Sequence, residues 1–266
     1  MSKSWECALA LRRTASCRKR VSSPLARFQS RAMSRAAPHA TESTYDPALV
    51  PGPLKSPEQF AQEDAMQAKH LEELFHPLRF SPDVASRILT HASHPDAKRR
   101  HNGRLNFVGR RVLQAYLLMF MDSAPSRQPN HNFAEIMENA LNSYALGEHV
   151  APHWDVGKVL KWRPMNVGNL SKPLGPGAEV PAPFADLRNV NARGVGMYKV
   201  YGATVEAVMG GVFHQFGGSV SHRIFHTRLL PHLCIKGRLA GLHGAYHEHA
   251  MEICERMGGP KGPLLR

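Results

Sequence analysis

An all-α fold is expected from two features of the chain. Leu105, Val108, Val112, Tyr116 and Met119 recur at three- and four-residue steps, the spacing that lines one face of a buried helix. Helix starts are also written out twice, as Ser56-Pro57-Glu58 and Ser81-Pro82-Asp83. Each places an N-cap hydroxyl, a proline at the first helical position and an acid near the positive end of the helix dipole. With 266 residues the chain can bury a sizeable core, and one domain with tails is the simplest organisation.

The formal net charge of +13 and pI near 10.0 come from two sources. Residues 1–41 hold nine Lys and Arg against one acid, Glu6, and the rest of the chain holds 25 against 20. This first segment is rich in Arg, Ser and Ala, which is the composition of a mitochondrial transit peptide and predicts a protein of the mitochondrial matrix. A free basic arm lying on nucleic acid is the other use of such a composition. Residues 42–57 carry Pro47, Pro51, Pro53 and Pro57 with Gly52 and read as an extended linker. No apolar run approaches the roughly 20 residues of a membrane span. Cys234 and Cys254 lack metal-ligand spacing and read as reduced, structural thiols.

From residue 58 the body follows in order. Phe60, Met66, Leu71, Leu74 and Phe75 supply the apolar side of a first helix ended by His76-Pro77, and a second runs over Val84 to Leu89. Residues 122–132 read as a loop, Phe133 to Leu146 as one amphipathic helix, and Trp154 to Trp162 as a short helix burying Val156, Val159, Leu160 and Trp162. Gly168, Pro173, Gly175, Pro176, Gly177, Pro181 and Pro183 make residues 165–183 a surface insertion. Val220 to Leu233 reads as a last helix of the body, and residues 235–266 as a short helix and tail. His243, His247 and His249 lack the HExxH zinc pattern and read as surface histidines on that helix.

The string Asn102-Gly103-Arg104-Leu105-Asn106-Phe107-Val108-Gly109-Arg110-Arg111-Val112-Leu113 resembles the signature helix of the ribonuclease III family, Asn-Glu-Arg-Leu-Glu-Phe-Leu-Gly-Asp-Ala-Val-Leu. Asn102, Arg104, Leu105, Phe107, Gly109, Val112 and Leu113 match it. Leu89-Thr90-His91-Ala92-Ser93 is similar to the Leu-Thr-His-x-Ser element that precedes it in the family. Glu206-Ala207, Gly210 and Gly217-Gly218 are in register with the second signature, an Asp-x-x-Glu-Ala helix followed by a Gly-Gly pair.

The resemblance implies an all-α ribonuclease-III-like endonuclease fold over residues 58–234. Active relatives hold Mg²⁺ on four acids, and here three of those positions are Asn106, Arg110 and Ala203, leaving Glu206. The resemblance therefore implies a catalytically degenerate domain with no catalytic residue, no metal site and no cofactor. Arg110 either pairs with Glu206 or points to solvent. Basic residues near the signature helix, Lys98, Arg99, Arg100 and Arg111, are the expected RNA contacts. The 33 residues after Leu233 are too few for the separate double-stranded-RNA-binding domain of bacterial relatives.

Together with import and basic charge, the pattern is similar to degenerate ribonuclease-III-like members of the fungal mitochondrial large ribosomal subunit. The implied function is a structural constituent of that subunit. Its implied partners are mitochondrial rRNA and mitochondrial ribosomal proteins, among them a second ribonuclease-III-like protein in a hetero-dimer, because relatives dimerise through the signature helices. The alternative is an RNA-processing factor, or one subunit of a hetero-dimeric double-stranded-RNA endonuclease.

Overall fold

The computed structural model describes residues 55–163, 192–237 and 240–265. The expected import segment, most of the linker and the 165–183 insertion lie outside them. Among the described residues the structure is helical, with a single parallel bridge between Thr90 and Lys161. The main helices are α1 (Pro57–Leu74), α2 (Pro82–Ile88), α3 (Gly103–Ser123), α4 (Phe133–Ala140), α5 (Ser143–Ala145), α6 (Ala192–Ile224) and α7 (His247–Arg256).

Capping starts α1 and α2 where the sequence places it. Ser56 accepts from the Gln59 amide while the Gln59 side chain accepts from the Ser56 amide, and Ser81 accepts from the Val84 amide. Leu71, Phe75, Leu78, Ile88 and Leu89 are buried, and Phe75 meets Trp154 edge-on with ring centroids 5.3 Å apart. Met66, expected in the apolar side of α1, is 68% exposed.

The centre of the domain is α6. Thr204 to Val212 are buried without interruption, so this helix is surrounded and has no polar face there. It bends at Gly217, whose φ of 82° is a conformation that glycine tolerates and other residues resist. Helix α3 crosses α6 with Val112, Leu113, Tyr116, Leu117, Phe120 and Met121 buried. The buried face of α3 is thus turned toward Leu117 and Phe120 from the expected stripe, and Met119 is exposed.

Three other expected elements take a different form. The helix expected over Phe133 to Leu146 stops at Ala140, because Asn142 is extended and its side chain caps a new turn by accepting from the Tyr144 amide. Over Trp154 to Trp162 there is no α-helix: a tight turn, Ala151–Trp154, ends where the stretch begins, Asp155 has φ 49°, and a second tight turn covers Val156–Lys158. The strand-like bridge explains this: the Lys161 amide donates to Leu89 O and the His91 amide to Lys161 O, both at 2.8 Å. Val156 and Leu160 are nevertheless buried, and Val159 and Trp162 pack against the core. Beyond Ile224, Phe225–Leu229 forms a wide π-type turn and Leu230–Leu233 a tight 3-10 turn.

The expected break after residue 234 does not divide the packing. Tyr246, Ala250, Cys254 and Leu264 are part of the same core. Buried Arg223 donates to Pro263 O and Met257 O at 2.9 and 2.8 Å, which ties the tail to the end of α6. Cys234 and Cys254 are free thiols, and burial pushes the Cys234 thiol up to about 11, where it is a poor nucleophile.

Candidate functional site

The site is created by backbone proximity. At the crossing of α3 and α6, a Cβ on Gly109 would lie 1.7 Å from Glu206 O, and one on Gly210 would lie 2.0 Å from Leu105 O. Only glycine at both positions lets the two helices approach this closely. A second close approach sets α5 against α6, where a Cβ on Gly202 would lie 1.8 Å from Ser143 O. These two crossings bring Asn106, Arg110 and Ser143 around one side chain, that of Glu206.

Glu206 is 1% exposed, and both of its oxygens are occupied. Arg110 donates from Nε to Oε1 and from Nη2 to Oε2, each at 3.2 Å, in a bidentate fork. Asn106 Nδ2 also donates to Oε2, and to Ala203 O at 2.9 Å. Ser143 Oγ lies 3.5 Å from Oε1 and 3.4 Å from Arg110 Nη2. Of the two arrangements open to Arg110, the structure has the paired one. Burial nonetheless wins over the cation: the Glu206 carboxyl sits above the usual range because desolvation outweighs the opposing hydrogen bonds and charge of Arg110.

Mg²⁺ needs oxygen ligands in near-octahedral order, usually with more than one carboxylate in reach. At the positions where the resemblance implies acids stand the amide of Asn106, the guanidinium of Arg110 and the methyl group of Ala203. The remaining carboxylate is enclosed by donors. A divalent cation at this point would face the guanidinium directly in a partly buried setting, so these residues do not fit the ion. Among the described residues, no group of three or more His, Cys, Asp or Glu side chains is placed to hold a metal.

The four basic residues expected at RNA do not form one surface. Arg100, with its side chain 14% exposed, is held between Asp64 and Asp83, with its Nη1 3.4 and 2.8 Å from their oxygens. It fastens the 95–100 turn to α1 and α2 through these two carboxylates. Arg99 approaches Asp64 at 3.7 Å and lies over the Phe60 ring, with its other side open to solvent. Lys98 is exposed. Arg111 belongs to a different surface, the outer face of α3, where its guanidinium covers the exposed ring of Phe107.

The charge pattern along the sequence shows cations, but only the fold brings Asp64 and Asp83 to them. The expected surface histidines also divide: His243 is exposed and caps a turn, His247 bonds Leu242 O, and His249 is stacked on Phe120 in the interior.

Residues 81–174 match the protein-family model described as ribonuclease-III-like. Over this stretch the chain is similar to the ribonuclease-III-like family. The matched stretch contains Asn106 and Arg110, while Ala203 and Glu206 lie beyond it and reach the site through the crossing of α3 and α6. Among solved structures, the nuclease domain of ribonuclease III from Campylobacter jejuni is similar over 59% of this chain and 88% of that chain, with 16% identity and a TM-score of 0.42. No curated protein matches the chain in sequence. Among the described residues, no helix is long and apolar enough to cross a membrane.

Proposed function

We propose that this ribonuclease-III-like domain does not cut RNA, and that it serves as a structural constituent of the mitochondrial large ribosomal subunit, binding rRNA and a second ribonuclease-III-like protein. The observation that carries the reading is the enclosure of Glu206 by Arg110, Asn106 and Ser143, which makes a helix-to-helix contact where relatives hold Mg²⁺. The acid-poor, Arg-rich composition of residues 1–41 supports import into mitochondria. The outer face of α3 supports a protein partner: Phe107 is 63% exposed and Leu118 38%, on the helix through which relatives dimerise.

Sedimentation of the tagged protein from mitochondrial lysate tests this placement. Co-migration with large ribosomal subunits, released only when the subunits are dismantled, is the expected result. Migration as a small free particle overturns it.

A second reading is supported by the family match itself: an RNA-processing factor, or the non-cutting subunit of a hetero-dimeric double-stranded-RNA endonuclease whose partner supplies the four acids. Incubating duplex RNA and Mg²⁺ with the purified chain, alone and with its co-purified partner, separates the two. Cleavage by the pair alone favours the second reading, and intact RNA in both tubes favours the first.

A further inference from the structure

Beside the ion pair, a pocket of about 370 Å³ opens between α3, α4, the bend at Asn142 and α6. Its wall includes Arg110 and Lys199, the neutral polar groups of Gln114, Asn142 and Ser143, and one acid, Glu138. Lys199 lies one helical turn before Ala203 on α6, so the residue between it and Glu206 that is acidic in active relatives carries no charge here. Glu206 itself is buried behind Arg110, with its oxygens occupied. The pocket therefore presents two cations against one carboxylate, the reverse of a divalent-metal site.

Both cations are free to act outward. The Arg110 side chain is 50% exposed although it is paired, and it uses only Nε and Nη2 within the domain, leaving Nη1 without a hydrogen bond among the described residues. Lys199 is exposed and makes no ion pair among the described residues. A planar guanidinium held in place by a carboxylate behind it, on the same pocket wall as an exposed ammonium, is a combination suited to tetrahedral oxyanions.

We propose that this pocket binds a phosphoryl group directly through Arg110 and Lys199, with no metal ion between them. As a phosphate of the RNA backbone, the ligand rests on the RNA-binding reading given above. Bound as inorganic phosphate, it does not. Arg110 then has two roles: its inner edge neutralises Glu206, and its outer edge meets the anion.

The test uses the full chain in EDTA and titrates it separately with inorganic phosphate, followed by amide chemical shifts, and with duplex RNA, followed by anisotropy. Lys199→Glu is the variant, because its exposure makes folding insensitive to the change. An unaltered melting temperature checks this, and Lys199→Gln repeats the measurement with no added charge. Lys261→Glu, at an exposed lysine that does not line the pocket, is the control.

Phosphate affinity is expected to fall at least fivefold in Lys199→Glu. If the ligand is the RNA backbone, duplex affinity falls about three- to tenfold and the salt dependence of binding loses about one phosphate contact. Loss in both titrations assigns the backbone, and loss in the phosphate titration alone assigns a free phosphate. If no shifts occur around Arg110 and Lys199 with phosphate, and RNA binds the variant as tightly as the wild type, the pocket is not an anion site. Failure of the wild type to bind duplex RNA counts against the RNA-binding reading, and the phosphate titration still decides the pocket.

Discussion

The α3–α6 crossing buries polar groups at both ends and treats them in opposite ways. At one end Glu206 remains next to a counter-charge, with Arg110 and Asn106 on its oxygens. At the other, Tyr116 and Phe120 pack against His222, His226 and His249, and among the described residues no carboxylate pairs with His222 or His226. The Nε2 atoms of His222 and His226 share a 3.1 Å contact, which one proton can bridge only while the pair is not doubly charged. Burial, helped by the two neighbouring histidines, drives His226 down to about 3. One end tolerates a carboxylate by pairing it, and the other keeps the His226 imidazole neutral.

The two ends consequently respond to pH with opposite sign. The Glu206 carboxyl is raised in the fold, so its contribution is fully present below its unfolded value near 4.5 and is lost as pH rises through its folded value. His226 is depressed, so its contribution is fully present above 6.5 and is lost as pH falls from there toward about 3.

The largest expected effect breaks both ends at once. Gly109→Ala places a methyl group against Glu206 O and forces α3 off α6, with a loss of about 4 kcal/mol or more, or no folded protein, by urea denaturation. Arg110→Met strips the counter-charge from a buried acid and is expected to lose about 3 kcal/mol at neutral pH. That loss shrinks as pH falls and Glu206 takes up a proton; a deficit independent of pH would mean that Arg110 acts only by packing.

His226→Leu sharpens the other end. It is expected to flatten the acid limb of the stability profile between pH 6.5 and 4 by about 2 kcal/mol. An unchanged limb would place the acid sensitivity elsewhere, in ion pairs such as Lys161 with Glu63. The smallest effect is that of Glu206→Gln, about 1 kcal/mol in thermal melts, because the half-exposed Arg110 it releases is rehydrated. Removal of the acid is thus milder than removal of the cation.

Much of this was legible in the sequence, for local reasons. The N-caps of α1 and α2 lie within three residues of the groups they bond, and Asn106, Arg110 and Ala203, where the resemblance implies acids, are visible by position in two short motifs. What was not legible depends on distant partners. Helix α3 is apolar on more than one side, so residue spacing alone could not choose between Met119 and the pair Leu117 and Phe120. Trp154 to Trp162 has helical spacing, but the Thr90–Lys161 bridge holds its end extended. Lys98-Arg99-Arg100 reads as a solvent-facing run until Asp64 and Asp83 arrive from two other helices. The pocket joining Arg110 to Lys199 spans 89 positions of sequence and carries no local signal.

Mn²⁺ titration followed by electron paramagnetic resonance tests most directly whether Glu206 is neutralised by Arg110 and not by a metal ion. The wild-type chain is expected to leave the free-ion spectrum undiminished, whereas Asn106→Glu, Arg110→Asp and Ala203→Asp combined are expected to capture the ion. A bound fraction in the wild type that disappears in Glu206→Gln would contradict the account.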